Sequence, residues 1–323
     1  MRHVLRQPRA LDRAWRVGVA AGLLIAILGA MTVTAGAKGG GLADATRGRE
    51  SHASPGAHSS ANRAQSPNAT KVVYEEDHGV VQPGMAGGFV ERCPATAPHA
   101  ISGYFGPDDN AAYGQLTLAA SAPDGAGERK WVVAVKDLAS EPEAYFVGAV
   151  CASAQQPFAY VSNTGTVDAG QTAGNKEICP KVAPQPISGL FYLQNGTAGD
   201  LELAESVNNR RGWDTEVNNV SDQPQAYVLG AVCAPRSARI SYLISDLDTV
   251  APSQALGSIG RCRKPTPHPV GGDFYPPRSE PFGNITLADS FPGGPSARPL
   301  WETDVVNITS EPENYVVGTV CMG

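Results

Sequence analysis

One pattern occurs three times along this chain and limits its fold more than any other feature. A Cys is followed ten residues on by a Gly, then by a Trp, and twenty residues past the Trp by a second Cys. The copies are Cys93, Gly103, Trp131 and Cys151; Cys179, Gly189, Trp213 and Cys233; and Cys262, Gly272, Trp301 and Cys321. Pro follows the first Cys in two copies, and Arg263 takes its place in the third. The likeness extends upstream to Tyr74, Tyr160 and Tyr242, so each unit starts near its Tyr. Self-similarity at a fixed period marks one supersecondary unit used repeatedly. The units run over residues 72–156, 157–238 and 239–323.

Within a unit the hydrophobic period is two, which predicts strands. Trp213, Thr215 and Val217 alternate with Asp214, Glu216 and Asn218, and Trp301, Thr303 and Val305 alternate with Glu302 and Asp304. One face of the Trp strand is therefore expected in the core and the other in water. The Thr and Val in phase with Trp213 and Trp301 assign the ring to a small core rather than to a sugar-stacking surface. The segment before each closing Cys is apolar on both alternating sets, as in Tyr227-Val-Leu-Gly-Ala-Val-Cys233, and so reads as a central, doubly covered strand. Gly148, Gly230 and Gly318 recur inside it, which predicts a close approach there by a neighbouring chain or by the Trp ring. A middle strand reads Leu116-Thr-Leu118, Leu201-Glu-Leu203 and Ile285-Thr-Leu287. Five or six strands per unit and no convincing helix after residue 40 give an all-β protein of three tandem, antiparallel, sandwich-like repeats. With Gly 36, Pro 26 and 17% charged residues, the composition agrees.

Six Cys allow fifteen pairings. Equal placement in each copy favours Cys93 with Cys151, Cys179 with Cys233 and Cys262 with Cys321. There is no Cys-x-x-Cys and no paired His near any Cys, which argues against zinc. Each bridge closes a loop of more than fifty residues, worth about 4 kcal/mol by chain-entropy arithmetic. A bridge and a Trp in every copy favour separate but touching modules over packing about a pseudo-threefold axis, as in prism-like lectins.

Bridges of this kind require an oxidising compartment, and the N-terminus supplies the route. Arg2, Arg6, Arg9, Arg13 and Arg16 precede an apolar run from Val17 to Val33, and Ala35-Gly36-Ala37 offers a small-x-small cleavage site. Residues 1–37 are thus a signal peptide, with an uncleaved signal anchor as the alternative; only in the latter case does the chain touch a membrane. Residues 38–71 hold almost no large apolar side chain and read as a disordered linker. The formal charge is -6, and residues 1–37 carry five Arg against Asp12, so the exported remainder is more acidic still. Such a balance excludes nucleic acid, whose phosphates require a basic face.

No hydrolase elbow, zinc-protease helix, phosphate loop or dinucleotide fingerprint is present, and nothing points to a cofactor or metal. The reading is therefore a non-enzymatic structural or interaction protein, secreted or envelope-associated, whose partner is an extracellular protein or glycan. A lectin-like carbohydrate binder is the alternative, and a secreted enzyme the third. His99, Gln185 and His268 occupy matching places six residues after each first Cys and are the candidate ligand loops. Glu75-Glu76-Asp77-His78 is a dense acidic cluster better read as solvated surface than as a calcium site. Glu76 and His78 are the candidates an enzyme would use. Triplication implies multivalent contact.

The run Cys-Pro, Ile-Ser-Gly, Leu-Thr-Leu, Trp-Val-Val-Ala-Val and Tyr-Phe-Val-Gly-Ala-Val-Cys in the first unit resembles uncharacterised exported β-repeat proteins of actinobacteria. The resemblance covers residues 72–323 and departs from the usual Gly-Gly-Gly run at Ser102-Gly103, Ser188-Gly189 and Gly271-Gly272. It implies secretion and an all-β module, with no active site to carry over.

Overall fold

The alternation read from the sequence becomes six strands in each of the first two units. A computed structural model describes residues 70–323 apart from 109–113, 125–128, 154–156, 195, 197, 278–282 and 294–298. The export segment 1–37 and all but the last two residues of the linker lie outside the described residues. Unit 1 contributes β1 (Val72–Val81), β2 (Ala86–Arg92), β3 (His99–Pro107), β4 (Leu116–Pro123), β5 (Lys130–Asp137) and β6 (Glu143–Ala152). Unit 2 contributes β7 (Ala159–Val167), β8 (Thr172–Ile178), β9 (Gln185–Leu193), β10 (Leu201–Asn209), β11 (Gly212–Asn219) and β12 (Gln225–Ala234). In unit 3 the first strand is split into β13 (Ile240–Ile244) and β14 (Asp248–Val250). It is followed by β15 (Ala255–Arg261), β16 (His268–Tyr275), β17 (Ile285–Gly293), β18 (Leu300–Asn307) and β19 (Glu313–Met322). The described residues contain no helix, and none is therefore long and apolar enough to cross a membrane.

Each unit is a sandwich of two three-stranded layers, with the closing strand central as its two-sided apolarity predicts. Order in unit 1 is β1-β6-β3 in one layer and β2-β5-β4 in the other. Between the layers lie Trp131, Trp213 and Trp301, each 0% exposed. The indole Nε1–H of each donates to a serine Oγ one strand away: Ser121 at 2.9 Å, Ser206 at 2.8 Å and Ser290 at 2.7 Å. A Cβ on Gly103, Gly189 or Gly272 would run into that nitrogen, so the repeated Gly and Trp are one packing contact. The close approach expected at Gly148, Gly230 and Gly318 comes from neighbouring chain rather than from the Trp ring, the backbone carbonyls of Glu75, Val161 and Leu243 lying against them. The side chains over Gly148, Gly230 and Gly318 are Tyr104, Leu190 and Asp273 on the adjacent strand.

The three disulfides join Cys93 to Cys151, Cys179 to Cys233 and Cys262 to Cys321, each within its own unit. Independence of the units, however, is not what the sheets show. Strand β4 pairs with β9 at Ser121 and Phe191, β10 pairs with β16 at Ser206 and Phe274, and β17 pairs with β3 at Ser290 and Phe105. The fourth strand of every unit thus meets the third strand of the next, and the third unit closes back on the first. Three composite sheets result, each shared by two units: sheet A (β1-β6-β3-β17-β18-β15), sheet B (β2-β5-β4-β9-β12-β7) and sheet C (β13-β19-β16-β10-β11-β8). This is pseudo-threefold packing, and the expectation of separate modules is corrected. The physical reason is that the third and fourth strands would otherwise present unpaired backbone edges beside a large apolar surface.

The same cycle is closed by hydrogen bonds from the tyrosines that open the units. Tyr74 donates to the Pro269 carbonyl at 2.7 Å, Tyr160 to Ala100 at 2.7 Å and Tyr242 to Pro186 at 2.6 Å, each crossing to the preceding unit. At the centre, Phe105, Phe191 and Phe274 with Leu118, Leu203 and Leu287 surround a cavity of about 40 Å³. One continuous core runs through all three units.

Candidate functional site

His99, Gln185 and His268 open the third strands of their units, at the disulfide end. Each sits opposite the end of a closing strand, at Ala152, Ala234 and Met322. Gln185 is occupied structurally, its Nε2 donating to the carbonyls of Pro235 at 2.8 Å and Ala238 at 2.9 Å. The His99 ring lies 5.4 Å from that of Phe158, and His268 is half-buried, so that burial lowers its pKa. The three residues lie on three different sheets, and none lines the groove described below. Glu76 and His78 lie on edge strand β1, where His78 Nδ1 meets Asp108 at 2.8 Å and Nε2 meets Glu76 at 3.2 Å. The bond to Asp108 is the largest cause raising the His78 pKa. Across from this strand Glu91 is pushed well above the usual carboxylate range, chiefly by burial and then by Asp77. Among the described residues no group of three or more His, Cys, Asp or Glu is arranged to hold a metal ion.

The chemically distinctive surface is the outer face of sheet C, where units 2 and 3 meet. Because side chains alternate, Ser206 and Phe274 point to the core while Glu205, Asp273 and Tyr275 point outward. A groove of about 580 Å³ is lined there by Lys176 from β8, Asp214 and Glu216 from β11, Glu205 from β10, Asp273 and Tyr275 from β16, and Tyr242 from β13. Glu205 and Glu216 sit directly opposite one another in the ladder, an arrangement of like charges that opposes sheet stability. Glu205 is 8% exposed, and the Glu216 pKa is raised by burial and by Asp214. Lys176 Nζ lies 3.6 Å from Asp214 Oδ1 at the rim.

Asp273 is the most unusual member. It is 4% exposed, lies over Gly318, and its Oδ1 has no hydrogen-bond partner. Burial raises its pKa from 3.8 to about 7. At the two equivalent places the chain has Tyr104 and Leu190, side chains suited to burial without a charge. A carboxyl in such a site lowers stability, so packing alone gives no reason for Asp273 at a place where the other units hold Tyr104 and Leu190.

The other outer faces show what the fold requires there. Sheet B has Ala120, Val132, Ala134 and Leu190 where sheet C has Glu205, Asp214, Glu216 and Asp273. Sheet A has a second carboxyl pair, Asp289 opposite Asp304, with Asp289 fully buried and its pKa driven upward by burial, Asp304 and Glu302. Aromatic side chains lie beside it, Phe146 and Phe291 packing edge to face at 5.2 Å. A further cavity of about 590 Å³ opens between β13 and β15, where Gly260 stands at the place of Glu91 and Glu177; Arg261, Arg263 and Lys264 line it.

Sequence reading had missed Asp273. The signal was present, since the residue after each repeated Gly reads Tyr104, Leu190 and Asp273, and only the last carries a charge. Two Asn-x-Ser/Thr sequences of the glycosylation type, at Asn219 and Asn307, are closed off: these residues are 0% and 1% exposed, with Nδ2 of Asn219 donating to the carbonyls of Val167 and Gln223 and Nδ2 of Asn307 to those of Val250 and Glu311. No model of a known protein family matches the chain, and no curated protein sequence matches it either.

Proposed function

We propose that this chain is a non-enzymatic interaction protein, secreted or held at the cell envelope, that engages an extracellular partner through the groove on sheet C. The coarser part rests directly on the fold, since a disulfide-rich all-β body is compatible with an extracellular structural protein, and three intra-chain disulfides point to an oxidising, extracytoplasmic setting. The observation that carries the finer part is Asp273, a buried carboxyl lining a cavity at a place the other units fill with Tyr104 and Leu190. Because the three outer faces carry different side chains, the repeat does not present three equal sites, and this supports a site particular to sheet C.

A lectin-like reading is favoured by the same groove, where tyrosine rings stand beside carboxyl groups and the amides of Asn208 and Asn209. Sugar hydroxyls are matched by such acceptors and donors.

The test uses the sheet B residues as a template. In the full-length, oxidised protein, Glu205→Ala, Asp214→Val, Glu216→Ala and Asp273→Leu are combined, substitutions whose counterparts the fold already holds. Binding to a panel of extracellular glycans and envelope polymers is then measured by surface plasmon resonance, and bound material is recovered for mass spectrometry. Binding by the parent protein, its loss in the grafted one and recovery of unchanged ligand are expected. Undiminished binding after the graft, or a new chemical product, overturns the proposal.

A further inference from the structure

We infer that the sheet C groove is a binding site for a primary ammonium group carried on a polar residue-sized body; this rests on the proposed use of that groove. Four carboxyl side chains, on three strands from two units, converge on the cavity against a single lysine. One of them, Asp273, is more than nine-tenths buried and has an oxygen with no hydrogen-bond partner. An incoming N–H donor is matched by the carboxyl oxygens that line the groove, whereas a neutral acceptor group is not. Compact, three-donor geometry suits an ammonium better than a planar guanidinium, because the Glu205–Glu216 pair and Asp273 approach from separate strands rather than as one fork.

The chain itself supplies the precedent. Lys176 reaches the rim from edge strand β8 and places its own ammonium 3.6 Å from Asp214. On sheet A that position is Ile259 and on sheet B it is Val90, and neither face has an equivalent of the Asp273 carboxyl. The cavity, about 580 Å³, holds far more than one ammonium, and the Tyr242 and Tyr275 rings line its unit 3 side. Charge and lining therefore select an amine attached to a ring or chain.

Binding should depend on pH. Asp273 is faced by Glu205 from β10, Asp214 and Glu216 from β11, Lys176 from β8, Tyr242 from β13 and Tyr275 on its own strand. With its pKa near 7, ionisation of Asp273 adds a charge-assisted bond as pH rises from 6 to 8.

The experiment is calorimetric titration of the full-length, oxidised protein at pH 6 and pH 8. The probes are a glucosamine tetramer, its fully N-acetylated form, tetralysine and its side-chain-acetylated form. Each amine is expected to bind about tenfold or more tightly than its acetylated counterpart at pH 8, to weaken at pH 6, and to weaken with added salt. Preference between the glucosamine and lysine probes identifies the source of the ammonium. Equal binding of amine and acetylated probes, lost in the four-substitution graft, overturns the ammonium assignment and leaves the groove as the binding site. Binding unaffected by the graft overturns both. Failure of every amine to bind at millimolar concentration overturns the ammonium assignment.

Discussion

Replacing Asp273 by Asn keeps the shape of a buried side chain and removes its titration. In the folded protein burial holds the Asp273 carboxyl near 7, against an ordinary value of 3.8. The folded state therefore keeps this proton over a range in which the unfolded chain has released it. Stability falls as pH rises through that window, because the unfolded state binds fewer protons than the folded state there. A displacement of roughly three units at 1.36 kcal/mol each gives about 4 kcal/mol, fully expressed above pH 7 and absent below pH 4. Urea unfolding of the parent and of Asp273→Asn at pH 4, 5, 6, 7 and 8 measures the difference directly. Glu91, Glu216, Asp289 and Asp304 are raised in the same direction, so both proteins lose stability with pH. Subtraction removes that shared slope. The variant is expected to match the parent near pH 4 and to exceed it by up to about 4 kcal/mol at pH 8. A difference that does not change with pH would refute the reasoning, since it would mean that Asp273 is not held protonated by its surroundings.

Because the sheets are shared, the full chain should unfold in one calorimetric transition, and residues 157–238 alone, oxidised, should fail to fold; two or three resolved transitions would restore the picture of independent modules. Tyr160→Phe removes one bond of the inter-unit cycle and is expected to cost about 1 kcal/mol in urea unfolding, with a similar cost for Tyr74→Phe; no loss in either would show that the cycle is not held by these hydroxyls. Gly189→Ala places a methyl against Trp213 and should destabilise by about 1–3 kcal/mol, with a shifted near-ultraviolet circular dichroism band as the sign that the indole moved. Replacing Cys179 and Cys233 together by Ser opens a loop with a separation of 54 residues, which by chain entropy is worth about 4 kcal/mol; a melting temperature unchanged from the parent would contradict that account.

Much of the fold was legible because it is written in local period and repeated spacing. Alternation along Trp213–Val217 placed the Trp strand correctly, and the two-sided apolarity before Cys151, Cys233 and Cys321 placed the closing strand at the centre of its layer. Equal placement of the Cys gave the three bridges. What local pattern misjudged was the outer face. Asp214, Glu216 and Glu302 were expected in water, yet in the folded chain they are half-buried. Their pKa directions follow from that burial: Glu216 and Glu302 are raised. His99, Gln185 and His268 are equivalent by the repeat, and the one with two carbonyl partners, Gln185, is serving the backbone. Asp273 is conspicuous for the opposite reason, as it breaks the repeat.

The sequence alone determined that this chain is built of strands, that it has three like units and how the sulfurs pair, because each of these depends on residues close in the pattern or identical between copies. Only the tertiary structure decided that the units exchange strand edges around a common centre, because a single residue pair at each junction leaves no periodic trace. It also decided that one outward face becomes a groove, since carboxyl side chains far apart in the sequence are brought together there by strands of two units.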